Sequence, residues 1–150
     1  MAKFRARTIR FAVPNEVAGL STARDMLDRF GSEHGVPRES LVQLQVALDE
    51  VVSNSIKYAW PEGGSHEVSV SITARRNEVE VEISDDGQPF DPLGLAPPAP
   101  RLPNDKRKPG GVGIHMVRQL MDAIEYTRSK GRNQVVLTKR CTLRTQVEEE

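Results

Sequence analysis

The sequence predicts an α+β fold, a two-layer sandwich in which a mostly antiparallel, mixed sheet carries helices on one face. Three observations carry that reading. Apolar residues recur at spacings of three and four in three stretches, and they alternate with polar residues in others. The elements also follow the order strand, two helices, hairpin, long loop, helix, hairpin. No doubly wound strand-helix-strand pattern is present, and neither an internal repeat nor a second domain is visible in the 150 residues.

Residues 4–13 alternate weakly and stop at Pro14, a first strand. Val17, Leu20, Ala23, Leu27 and Phe30 then describe a helix from about Asn15 to Glu33 that ends near Gly35. Pro37 or Arg38 opens a second helix, with Leu41, Leu44, Leu48, Val51, Val52 and Ser55 as its buried stripe. It must finish before Trp60-Pro61-Glu62-Gly63-Gly64, because proline and paired glycines break helices. Two strands follow, about Glu67–Ala74 and Val79–Ser84, joined by a turn at Arg75–Glu78. In the second, Val79, Val81 and Ile83 alternate with Glu80 and Glu82, so one face is wet and the other buried. Six of the ten prolines lie between Pro92 and Pro109, a long aperiodic stretch of the kind that forms lids or stays disordered. After Gly110–Gly113, the positions Ile114, Val117, Leu120, Met121 and Ile124 describe a third helix. Strands at about Glu125–Ser129 and Gln134–Thr142 flank a turn at Lys130–Asn133, and the acidic end Glu148–Glu150 is expected to fray.

The composition, 37% hydrophobic and 28% charged, is that of a soluble globular domain, and no apolar run approaches the ~18–20 residues that span a bilayer. The basic N-terminus is not followed by an apolar, secretory-type stretch. Cys141 is the sole cysteine, which excludes an internal disulfide and a thiolate cluster; a reducing cytoplasm fits. With 21 basic and 21 acidic residues there is no net field to recruit nucleic acid directly. Locally the charge is uneven. Nine acidic side chains against three basic ones fall between Asp49 and Asp86, whereas Arg101, Lys106, Arg107 and Lys108 face only Asp105. A basic segment beside an acidic site suits a polyanion bound together with a cation.

Three constellations could carry chemistry. Glu50 and Asn54 lie four apart on the second helix and so project from one side, where a carboxylate and an amide oxygen could hold Mg²⁺ and orient a hydroxyl. Lys57 follows one turn on, within reach of a phosphate. Such residues also line ordinary solvated helix faces. Asp85 stands at a strand end with Gly87 two residues later, a pattern able to aim a carboxylate at an exocyclic amine such as that of adenine, and also the pattern of a plain Asp-Gly turn. Gly110-Gly111-Val112-Gly113-Ile114 opens a helix, where bare N–H groups and the helix dipole attract phosphate. It is neither a Rossmann fingerprint nor a P-loop, since no strand leads into it and no Lys-Ser/Thr pair closes it. A flexible hinge is the alternative.

Taken in order, these segments resemble the GHKL superfamily of Bergerat-fold ATPases. Leu48–Ala59 is similar to its N box, Asp85–Asp91 to the next box and Gly110–Ile114 to its second glycine box, so that the likeness runs from about Phe11 to Arg140. The resemblance implies a single ATP-binding domain over residues 1–150. By it, Glu50 is the base that polarises the attacking hydroxyl, Asn54 the Mg²⁺ ligand and Asp85 the adenine reader, with Gly87 under the ring. Gly111 and Gly113 cradle phosphates, and the loop at about 92–109, with Lys106, Arg107 and Lys108, is the ATP lid. Lys57, Gly110 and Ile114 complete the expected ATP/ADP contacts. Pro89 departs from the pattern, standing where a glycine is common and offering no N–H.

Within the superfamily the chain most resembles stand-alone serine kinases that act as bacterial anti-sigma factors or stress-switch regulators. Sensor histidine kinases share Asn54–Tyr58 but usually carry Asn where Glu50 stands and need a helical hairpin bearing the phosphorylated His; none of His34, His66 and His115 lies in one. The resemblance implies phosphorylation of a STAS-type antagonist on Ser or Thr, with a sigma factor and a second copy of the chain as further candidate partners. The competing reading is a nucleotide-binding module that sequesters a sigma factor without catalysis.

Overall fold

The computed structural model describes residues 3–4, 6–94, 112–144 and 148–149. Strand β1 (Lys3–Phe4) precedes β2 (Arg7–Pro14), helices α1 (Val17–His34) and α2 (Arg38–Tyr58), and the hairpin β3 (Glu67–Arg75) and β4 (Glu78–Asp85). After a short 3₁₀ turn at Pro92–Gly94 come α3 (Val112–Leu120), β5 (Ala123–Ser129), β6 (Arg132–Arg140) and β7 (Glu148–Glu149).

Five strands form one sheet in the order β2-β3-β4-β6-β5, every described pair antiparallel. The α+β class is therefore as expected, and the described pairs are all antiparallel rather than mixed: β3–β4 and β5–β6 are hairpins, α1 and α2 return the chain from β2 to β3, and β5 lies beyond β6, so that β6 rather than β5 pairs with β4. Register fixes which side is buried. Val13 of β2, Val68, Val70, Ile72 and Ala74 of β3, Val79, Val81 and Ile83 of β4, and Val135 and Leu137 of β6 share one face. They pack in a single core with Ala23, Leu27 and Phe30 of α1, Leu44, Leu48 and Val51 of α2, and Ile114 and Val117 of α3. All three helices thus lie on one side of the sheet. Burying a side chain of this size contributes about 1.5–3 kcal/mol, and Leu27, Leu44, Leu48, Ile72 and Leu137 are fully buried.

Three local expectations are corrected. The third helix was expected to carry Ile124, but α3 ends at Leu120 and Ile124 instead faces inward from β5, opposite Leu137. A helix stripe followed by an inward strand position leaves the same apolar spacing. The turn expected at Lys130–Asn133 is only Lys130-Gly131, with φ of 52° and 76°, the positive values that two-residue hairpin turns demand. Asn133 accordingly belongs to β6. The acidic end expected to fray has Glu148 and Glu149 paired with Phe4 and Lys3, so the extended backbones satisfy each other.

Candidate active site

Helix α2 faces the sheet with Leu44, Leu48, Val51 and Val52, and the next positions around its circumference are Glu50 and Asn54. They do not lie on a simple solvated face. Asn54 is 7% exposed, and its Nδ2 is buried without a hydrogen-bond partner. Glu50 is half-buried. Burial pushes its carboxyl above the ordinary value, opposed by the Lys57 charge and the Asn54 amide and reinforced by Asp49. Lys57 itself is exposed at the end of α2.

The first turn of α3 closes against Glu50. A methyl group on Gly113 would overlap the Glu50 carboxylate, so only glycine permits this approach. Val112, Gly113 and Ile114 begin a helix, and their N–H groups have no partner within it. Gly113 is thereby brought against Glu50. Ile114 is buried in the core, which leaves only its backbone for a ligand. Lys106, Arg107, Lys108, Gly110 and Gly111 lie outside the described residues, as does the expected lid beyond Gly94. Where that stretch begins, Leu93 N donates to Asp91 Oδ1 at 2.8 Å, and Arg118 of α3 donates to Leu93 O at 2.5 Å.

Asp85 ends β4 on the helix-facing side, 4% exposed. Its Oδ1 accepts from Gly87 N at 2.9 Å and Asn133 Nδ2 at 2.9 Å; its Oδ2 accepts from Ser55 Oγ at 3.0 Å. A carboxylate offers about four acceptor positions, so one remains, on Oδ2. Ser55 follows Asn54 directly, and α2 thereby serves both sites. Beyond Asp85 the chain docks on the end of α2. Gln88 N and Nε2 donate to Ala59 O and Tyr58 O, Tyr58 stacks on Phe90 at 4.9 Å, and a methyl on Gly87 would strike Ala59. Pro89 costs nothing there, since the backbone contacts on either side are made by Gln88 N and Phe90 N. Arg128 of β5 donates to Gly87 O at 2.6 Å.

Three residues of this arrangement carry no motif signal, Tyr126, Arg128 and Asn133, and Ser55 stands out in the sequence only as part of the buried stripe of α2. A polar residue in the alternating inward register of Asn133, Val135 and Leu137 is the signal that was available. A cavity of about 410 Å³ among Arg10, Ser69, Ser71 and Glu82 opens on the other face of the sheet, remote from these groups. A second, of about 300 Å³, borders Gly87 between Trp60, His66 and Gln88.

Among the described residues, no cluster of three His, Cys, Asp or Glu side chains could hold a metal. Asn54 is suited to hold Mg²⁺ together with a bound phosphate, because its buried Nδ2 has no hydrogen-bond partner and its amide oxygen is a ligand type that Mg²⁺ accepts.

An antiparallel sheet roofed by helices, with an unpartnered Asn and a half-buried Glu one turn apart, a clamped strand-end Asp and a glycine-opened helix, defines a GHKL-type nucleotide-binding domain. The histidine kinase-like ATPase domain matches residues 13–139, and the chain belongs to that family. It is 27% identical over 127 residues to the serine-protein kinase RsbW of Oceanobacillus iheyensis, covering 82% of this chain and 80% of the relative. It is 33% identical over 96 residues to the serine/threonine-protein kinase BtrW of Bordetella bronchiseptica, covering 63% of this chain and 67% of the relative. Its fold is similar to the crystal structure of the RsbU and RsbW domains of Rv1364c from Mycobacterium tuberculosis, with a TM-score of 0.61 at 16% identity, over 93% of this chain and 35% of that longer one. No described helix is long and apolar enough to cross a membrane.

Proposed function

We propose that the chain is an ATP-dependent serine/threonine-protein kinase acting as an anti-sigma factor or stress-switch regulator, with a STAS-type antagonist as its protein substrate. The observation that carries this reading is the pairing of Glu50 with Asn54 under Gly113. A half-buried carboxylate with a raised proton affinity is what a general base for a hydroxyl requires. The names of the relatives support the reaction class.

Each residue then has a part. Asp85 accepts the exocyclic amine of adenine at the acceptor position its clamp leaves over. The free N–H groups at the start of α3 meet phosphate oxygens. Asn54, with the phosphates, would hold Mg²⁺, which supplies charge neutralisation during phosphoryl transfer. Glu50 takes the proton from the incoming Ser or Thr hydroxyl as its oxygen attacks the terminal phosphorus and ADP leaves. Lys57 stabilises the ionised form of Glu50, keeping the base ready.

Incubating the protein with γ-labelled ATP and a STAS-type partner tests this. Glu50→Ala should retain ATP and lose transfer by about 10²–10⁴-fold, whereas Asn54→Ala should weaken metal-dependent nucleotide binding. Transfer at the parental rate by Glu50→Ala removes the kinase assignment and leaves a nucleotide-binding sequestration module.

A further inference from the structure

Asn133 belongs to none of the segments that carry the family resemblance, yet it is the most fully used side chain near the site. It is 5% exposed. Its Nδ2 donates to Asp85 Oδ1 at 2.9 Å and to Gln88 O at 2.8 Å. Its Oδ1 accepts from Tyr126 OH at 2.6 Å and Phe90 N at 3.3 Å. Two acceptors on one side and two donors on the other permit a single amide orientation. The side chain therefore ties three segments together: the end of β4, the 88–90 loop and β5. By filling a position on Oδ1, beside that taken by Gly87 N, it fixes the rotation of the Asp85 carboxylate and leaves only Oδ2 open to a further donor.

We propose that Asn133 is a positioning residue for base selection, which holds Asp85 so that its remaining acceptor meets a 6-amino purine. The inference rests on the adenine-reading role of Asp85 given above. It assigns selectivity to a residue that touches Asp85 rather than the base. Ser55, from α2, is the other side chain on the carboxylate, but its hydroxyl can rotate, so it constrains Asp85 less.

The test compares ATP with purine riboside triphosphate, which lacks the 6-amino group, by calorimetry between pH 5.5 and 8.5. Phosphate ionisation affects both ligands alike and cancels in their ratio. The parent should prefer ATP by about 10- to 100-fold throughout, as one hydrogen bond to a charged acceptor implies. In Asn133→Asp, which conserves shape, the new carboxyl faces Asp85 and Gln88 O. Arg128 and Asp86 are the other charged groups around this loop, and Tyr126 faces the site from β5. Two carboxylates sharing a site hold one proton between them. Protonated at low pH, the variant can still donate to Asp85 and should keep the parental preference; with both ionised at high pH, the preference should fall toward unity. Tyr126→Phe, which only removes the donor to Oδ1, should lower the preference two- to fivefold at all pH values and serves should Asn133→Asp unfold. A purely structural role predicts equal weakening for both ligands, and an unchanged ratio in the variants overturns the proposal. A parent with no preference overturns the adenine reading of Asp85 itself, and this inference with it.

Discussion

Replacing Asp85 by Asn exposes the logic of the base end of the site. The two donors on Oδ1, Gly87 N and Asn133 Nδ2, are N–H groups that cannot accept. The variant's single oxygen must stay with them, so its NH₂ takes the place of Oδ2. There Ser55 can turn its hydroxyl and accept, and the fold survives. The three bonds lose their charge assistance while the burial of a charge is relieved, so the net loss of stability is about 1–2 kcal/mol. At the open position, however, a donor now faces the donor of the adenine amine. Losing a bond to a charged acceptor removes about 1.5–3 kcal/mol, which is about 10- to 150-fold in affinity. An inosine nucleotide, with an acceptor at C6, should gain where ATP loses. Titration calorimetry of ATP and ITP on both proteins, alongside urea unfolding, reads each number. ATP affinity within twofold of the parent, or no relative gain by ITP, refutes the assignment of Asp85 to the base.

Gly113→Ala should push the Glu50 carboxylate aside and so slow phosphoryl transfer, while changing stability by no more than about 1 kcal/mol, since the displaced group is the flexible end of a side chain and the helix gains an alanine; a transfer assay and a thermal melt show both. The raised proton affinity of Glu50 places the acid limb of the transfer rate above pH 4.5, its ordinary value, which a pH–rate profile measures. The same shift has a stability consequence. A carboxyl whose folded pKa lies above its unfolded one stabilises the fold below the unfolded value and loses that contribution as pH rises through the folded one. Glu50→Gln should therefore be more stable than the parent at pH 7 and not below pH 4.5, by denaturant unfolding at the two pH values. Leu137→Ala, fully buried on β6 between β4 and β5, should cost about 2–5 kcal/mol in the same assay.

The order of elements and their faces was legible because alternation and helical spacing are local signals. The hairpin β3–β4 was placed within a residue or two, and α2 with its apolar stripe lies as read. The candidate positions of α2 and β4 stood out for a different reason, since a Glu-x-x-x-Asn pair and a strand-end Asp-x-Gly are short and contiguous. What stayed hidden depends on pairing between distant segments. Asn133 meets Asp85 across 48 residues and Ser55 meets it across 30. The two-residue turn at Lys130-Gly131 decides whether Asn133 points inward or sits in a loop, and no composition rule distinguishes those cases. Nor does spacing reveal that Asn54 is buried rather than wet, because that depends on how the other elements pack against α2.

Helix α2 is the part that links the two ends of the site. From Glu50 to Ala59 it rises about 14 Å, with Glu50 and Asn54 toward α3, Ser55 toward Asp85, and Tyr58 and Ala59 under the 87–90 loop. Asn54 and Ser55 are adjacent in sequence, about 100° apart around the axis, which is why one helix serves both a carboxylate on the sheet and a helix terminus above it. A rigid element of this kind fixes the distance between Glu50 and the Asp85 clamp, the groups proposed as proton acceptor and base reader, without relying on either loop. Phosphoryl transfer depends on positioning more than on covalent participation by the protein. A spacing set by a helix whose other face is locked in the core by Leu44, Leu48 and Val51 is the kind of positioning that the proposed transfer requires.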